Sequence, residues 1–72
     1  MKIIEELRKQ IEDEIADAHS YAERAAEYKD RYPETAELYH RLSEEEITHM
    51  NALHKETVRL LEKFLRENGE TE

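Results

Sequence analysis

Tyr28-Lys29-Asp30-Arg31-Tyr32-Pro33-Glu34 interrupts what would otherwise read as one continuous amphipathic helix. Pro33 biases the preceding residue, Tyr32, away from helical angles and is well tolerated in the first turn of a following helix. Glu34 and Glu37 then fall where the helix dipole favours acid. The stretch predicts helix 1 over about residues 3–30, a turn over 31–33 and helix 2 over about 34–67. Asn68-Gly69 reads as a C-cap, and Glu70-Thr71-Glu72 as a short frayed tail. Residues 1–72 thus form a single all-α unit, an antiparallel helical hairpin, with no repeat, linker or low-complexity tract.

Outward from the turn, both arms carry a heptad seam. The first arm runs Ile4, Leu7, Ile11, Glu14, Ala18, Tyr21, Ala25, Tyr28, Tyr32; the second runs Tyr39, Leu42, Glu46, His49, Leu53, Glu56, Leu60. Residues at this spacing face a partner helix. Glu14, Glu46 and His49 are metal-ligand types standing where apolar residues belong. A carboxylate taken out of water must be compensated or protonated. A bound cation is the leading candidate for compensating all three.

The composition narrows the remaining choices. Charged residues make up 42% of the chain, and Asp+Glu number 19 against 11 Lys+Arg, a net charge of −8. That surface repels phosphate backbones, which argues against nucleic acid as a partner, and it concentrates cations. Seventy-two residues bury little core, and small chains usually add disulfides, metal or oligomerisation. Cysteine is absent, which removes disulfides and thiolate metal sites. Metal and self-association remain. The opening residues Met1-Lys2-Ile3-Ile4-Glu5-Glu6 turn acidic too soon for a secretory h-region, and no run approaches a membrane span. The expectation is a cytoplasmic protein with no membrane partner.

An antiparallel hairpin places residues whose numbers sum to about 63 at one height, so Glu14 lies level with His49, and Glu46 is about 4.5 Å away along the axis. Glu46 and His49, three apart, share a face. Glu37-Leu38-Tyr39-His40 spells the same short Glu-x-x-His motif, but Tyr39 and Leu42 define the seam there and turn Glu37 and His40 to solvent. Phase separates the two motifs.

Glu14, with Tyr21 seven residues on and Ala25 eleven on, followed by Tyr39 ten before His49 and Glu46 three before it, resembles half of a rubrerythrin-type bundle of the ferritin-like superfamily. In that superfamily one helix supplies a Glu and the next a Glu-x-x-His, and two such pairs hold a di-iron centre. The resemblance covers roughly residues 10–54. The chain departs from rubrerythrins in having one helix pair and no cysteine-rich domain. In plan it is similar to the half-bundle encapsulated ferritin-like proteins and to short prophage-region proteins of like pattern. The resemblance implies a homodimer or higher homo-oligomer forming a four-helix bundle. It further implies Glu14, Glu46 and His49 as ligands to two divalent ions per dimer, iron first, with manganese or zinc also suited. The activity implied is ferroxidase-type: Fe(II) oxidation or reduction of oxygen or peroxide. The acidic tail at 70–72 does not read as the apolar docking segment of capsule cargo.

Other readings of these residues stay open at the sequence level. Glu14 can pair with a Lys or Arg, His49 can be a neutral core histidine, and Glu44-Glu45-Glu46 can be a solvated charge run. Tyr21 can support a ligand from a second layer or simply fill the core. Glu56 can guard ion access or snorkel at the bundle end. His19, His40 and His54 fall off the seam. Late in helix 2, Val58, Leu60, Leu61, Phe64 and Leu65 offer more apolar surface than one seam buries. The alternative function is a structural or interaction hairpin whose metal, if any, only stabilises the oligomer.

Overall fold

The computed structural model describes residues 1–68 and contains two helices, α1 (Lys2–Tyr28) and α2 (Pro33–Glu67). Helix α1 ends two residues before the expected point. Lys29 keeps helical angles, and the backbone N–H of Tyr32 still donates to the Tyr28 carbonyl at 2.8 Å. The chain leaves the helix at Tyr32, whose φ of −135° and ψ of 70° satisfy the restriction imposed by the next proline. Pro33 then occupies the first turn of α2, where a missing N–H costs nothing, and Ala36 N–H closes the turn onto the Tyr32 carbonyl at 2.9 Å. At the far end, both the backbone N–H and the side-chain amide of Asn68 bond to the Phe64 carbonyl, at 3.0 and 2.8 Å. Asn68 thus caps α2 as expected, while Gly69 and the 70–72 tail lie outside the described residues.

Three cross-helix contacts set the direction and register. Tyr21 packs on Tyr39 with ring centroids 6.0 Å apart, Ser43 Oγ donates to the Ala18 carbonyl at 2.8 Å, and Glu14 approaches His49. Numbers rise on one arm as they fall on the other, so the helices are antiparallel neighbours. Helix α1 has 27 residues and α2 has 35, so the last turns of α2 overhang the start of α1. There Leu61, Phe64 and Leu65 stand exposed, with Val58 just before them.

The seam of α1 is as read from the heptads: Ile4, Leu7, Ile11, Glu14, Ala18, Tyr21, Ala25 and Tyr28 are its buried or half-buried residues, joined by Ser20. Tyr32 is the exception. It lies past the helix end, is exposed, and meets Tyr28 edge-on at 6.0 Å. In α2 the seam is broader than one heptad line. Ala36, Ser43, Met50 and Thr57 join Tyr39, Leu42, Glu46, Leu53, Glu56 and Leu60. His49 turns outward. Among the described residues only small side chains are buried (Ala18, Ala36 and Ser43), and no large one is. Alanines and a serine at the contact let the helices approach closely, but two helices have no third layer to close the core.

Candidate metal centre

Glu14 sits on the α1 seam, one turn before Ala18, whose carbonyl receives the Ser43 hydroxyl. Ser43 in turn precedes Glu46 by three residues on α2. This single buried cross-link, between small residues that allow close approach, pins the two helices beside the cluster. It brings Glu14, Glu46 and His49 together such that one ligand atom from each lies within 4.8 Å of the others. All three residues singled out by phase and height therefore meet.

The two carboxylates are 14% and 16% exposed, and the imidazole is 59% exposed. His49 Nδ1 lies 2.8 Å from Glu46 Oε1 and 3.6 Å from Glu14 Oε1. The first is a hydrogen bond; the second is too long to be one. Glu14 Oε2 accepts from the Gln10 side-chain amide at 3.2 Å. Glu14 Oε1 is buried and has no hydrogen-bond partner. A buried acceptor left without a donor is costly in any fold, and a proton or a cation would satisfy it.

The electrostatics follow from that crowding. The Gln10 amide first, and then the carboxyl of Glu46 beside it, hold the Glu14 carboxyl below its usual value, with the imidazole of His49 adding to this. Desolvation pushes Glu46 the other way, reinforced by the Glu14 carboxylate beside it. His49 is raised, chiefly by its hydrogen bond to Glu46, against some desolvation. Protonation of Glu46 or of His49 would relieve that crowding, and so would a bound cation.

Two residues at the site escaped the sequence reading. Gln10 is one turn before Glu14, a spacing at which an amide reaches a carboxylate, so the signal was present. Ser43 carried no signal until the register was known. Tyr21 is half-buried against Tyr39, and among the described residues its hydroxyl makes no hydrogen bond. Glu56 is held by Arg59 on its own helix through contacts of 2.9 and 2.7 Å, and that guanidinium keeps its carboxyl low. His19 and His40 lie at the surface against Glu23 and Glu44, at 3.3 and 3.4 Å, and His54 is exposed. No described helix is long and apolar enough to cross a membrane. No family model matches the chain, and neither a curated protein nor a solved structure matches it.

Proposed function

We propose that this hairpin binds divalent metal through Glu14, Glu46 and His49 and that two copies complete a ferritin-like four-helix bundle around a dinuclear, di-iron centre. The single observation that carries the reading is the buried, donorless Glu14 Oε1 with Glu46 and His49 converging on it from the other helix. Carboxylate and imidazole donors without thiolate suit iron, manganese and zinc. Two Glu from each of two chains supply four negative charges, which two divalent ions neutralise. The outward imidazole of His49 supports a two-chain site as well, since a second hairpin on that side would cover it.

A centre of this kind supplies redox chemistry at two adjacent ions, and the reaction that fits is Fe(II) oxidation coupled to reduction of oxygen or peroxide. The chain's own part is narrower. Glu14 and Glu46 bind and charge-balance the ions, His49 presents Nδ1, and Gln10 orients Glu14. A second reading has its own support: the 2.8 Å His49–Glu46 bond satisfies both groups with no metal, so an ion could serve only to staple the oligomer.

One experiment separates them. The purified protein is analysed for metal content, then Fe(II) is added in air and oxidation is followed against a protein-free control. Stoichiometric metal with accelerated oxidation is expected. Bound metal without acceleration would leave the staple, and absence of metal binding would remove both. Sedimentation at micromolar concentration should show association; a folded monomer with no concentration dependence would count against the two-chain site.

A further inference from the structure

All four tyrosines of the chain stand in one string of neighbouring rings. Ring centroids of Tyr21 and Tyr39 are 6.0 Å apart, those of Tyr39 and Tyr28 6.1 Å, and those of Tyr28 and Tyr32 6.0 Å. These are the separations of aromatic side chains in contact. The string alternates between the helices and advances steadily toward the turn. Tyr39 stands level with Arg24 of α1, so the heights run 21, 24, 28 and 32, each step about 4.5–6 Å along the axis. Its inner end, Tyr21, is seven residues or about 10.5 Å of axis from Glu14, with the Ala18–Ser43 hydrogen bond spanning the interval. Its outer end, Tyr32, is 55% exposed at the turn.

Packing does not require tyrosine at these positions. A tyrosine hydroxyl taken into a core ordinarily finds a hydrogen-bond partner. Among the described residues none of the four hydroxyls makes such a bond, and none is a buried orphan, so the half-buried Tyr21, Tyr28 and Tyr39 keep theirs at water. Phenylalanine would fill the same space with no hydroxyl to keep wet. The chain's single Phe, Phe64, lies at the far end of α2, away from the string. What a phenol has and a phenyl ring lacks is ready one-electron oxidation, its proton passing to the water at the hydroxyl. Neighbouring rings hand the vacancy on. One tyrosine regains an electron and a proton as the next loses both, so no charge accumulates in the seam.

We propose that the tyrosines are an electron conduit between the surface at the turn and the cluster of Glu14, Glu46 and His49. At its inner end the inference rests on the metal reading of that cluster. Peroxide reduced there takes two electrons and two protons and leaves as two waters. The electrons arrive singly through Tyr32, Tyr28, Tyr39 and Tyr21, and a one-electron reductant of the ascorbate class restores Tyr32. Without reductant, two Tyr32 radicals on separate chains couple through ring carbons to dityrosine, a loss of two electrons and two protons that balances one peroxide. The chain has no cysteine, so Asp17→Cys, an exposed position one turn before Tyr21, takes a single ruthenium tris-bipyridine label. Flashed with a cobalt(III) ammine as electron acceptor, the label withdraws one electron from the metal-free full chain. Products are mapped by peptide mass spectrometry and helicity by circular dichroism. Dityrosine at Tyr32 is expected, suppressed by ascorbate, and lost in Tyr39→Phe and in Tyr28→Phe, both still helical because the ring is kept. No dityrosine at Tyr32, or an undiminished yield in Tyr39→Phe, would overturn the conduit. In a second arm, unlabelled wild type loaded with Fe(II) and given peroxide should form the same product, lost again in Tyr39→Phe. Its absence from a chain that has bound Fe(II) would overturn the proposal. Its absence from a chain that binds no metal would remove the metal reading, while the photochemical result still supports the conduit.

Discussion

Helix α2 contains the same four-letter pattern twice, and the two copies have different surroundings. Glu37 and His40 project into water, and the imidazole finds only Glu44 on its own helix. Glu46 and His49 sit two and a half turns later against α1, where Glu14 arrives from across the seam and Glu46 loses most of its solvent. Identical residues at identical spacing become a bonded helix surface in one case and part of a cluster of three ligand-type side chains in the other. The difference is a phase shift of nine residues, two and a half turns at 3.6 residues per turn, which takes the pair from one side of the helix to the other. A motif on a helix has meaning only together with its phase and with what stands at its height on the neighbour.

The widest separation between the two copies should appear in metal affinity. Glu14→Ala, Glu46→Ala and His49→Ala are each expected to abolish tight Mn(II) binding by titration calorimetry, because each removes two ligands from a two-fold site. Glu37→Ala and His40→Ala should leave it unchanged. Retention in Glu14→Ala, or loss in His40→Ala, would place the site on the wrong face.

Thermal stability should follow in step. Metal at 100 times its Kd adds about 2.7 kcal/mol, roughly 10 °C or more in Tm for a domain of this size, and a chelator should reverse it. Variants of the outer motif should keep this gain. A melt indifferent to metal in the wild type would leave the cluster without a bound ion.

Supporting residues should give a smaller effect. Gln10→Ala is expected to weaken metal binding by roughly 10-fold, the lower end of the range for residues that orient ligands. Ser43→Ala removes a buried bond, costing about 1 kcal/mol of stability, and should loosen the register that aligns Glu14 with Glu46. If Ser43→Ala lowers Tm yet leaves Mn(II) affinity untouched, the register is held by packing alone.

The metal-free chain offers the finest comparison. Glu46→Gln relieves a carboxylate that desolvation penalises, so this apo variant should melt slightly above apo wild type near neutral pH. His49, raised above 6.5 by Glu46, should titrate on its ring-proton resonance above that value and drop back toward it in Glu46→Gln. The sign follows from the raised folded value: the stability His49 contributes is fully present below its unfolded pKa near 6.5 and is lost as pH rises through the folded one. Metal affinity should therefore strengthen over the same rise, as the proton leaves Nδ1. An apo protein whose stability grew with pH across that window would contradict the assignment.

What the sequence determined by itself is local or periodic. Pro33 and the residues around it place the turn, because a proline constrains its own φ and its predecessor's angles regardless of surroundings. The heptads mark the seam, because side-chain direction repeats with the helix. Glu14, Glu46 and His49 were legible since height follows from turn position and face follows from phase. Only the tertiary structure decided which residues fill the widened seam of α2. Met50 goes in and His49 turns out, because 3.6 residues per turn do not divide seven and a half-step of rotation is settled by packing volume. The Gln10 amide on Glu14 and the Ser43 bridge to Ala18 belong to the same class. The orphaned oxygen of Glu14 does as well, since whether a polar atom finds a partner depends on which atoms the folded neighbour brings within 3.5 Å.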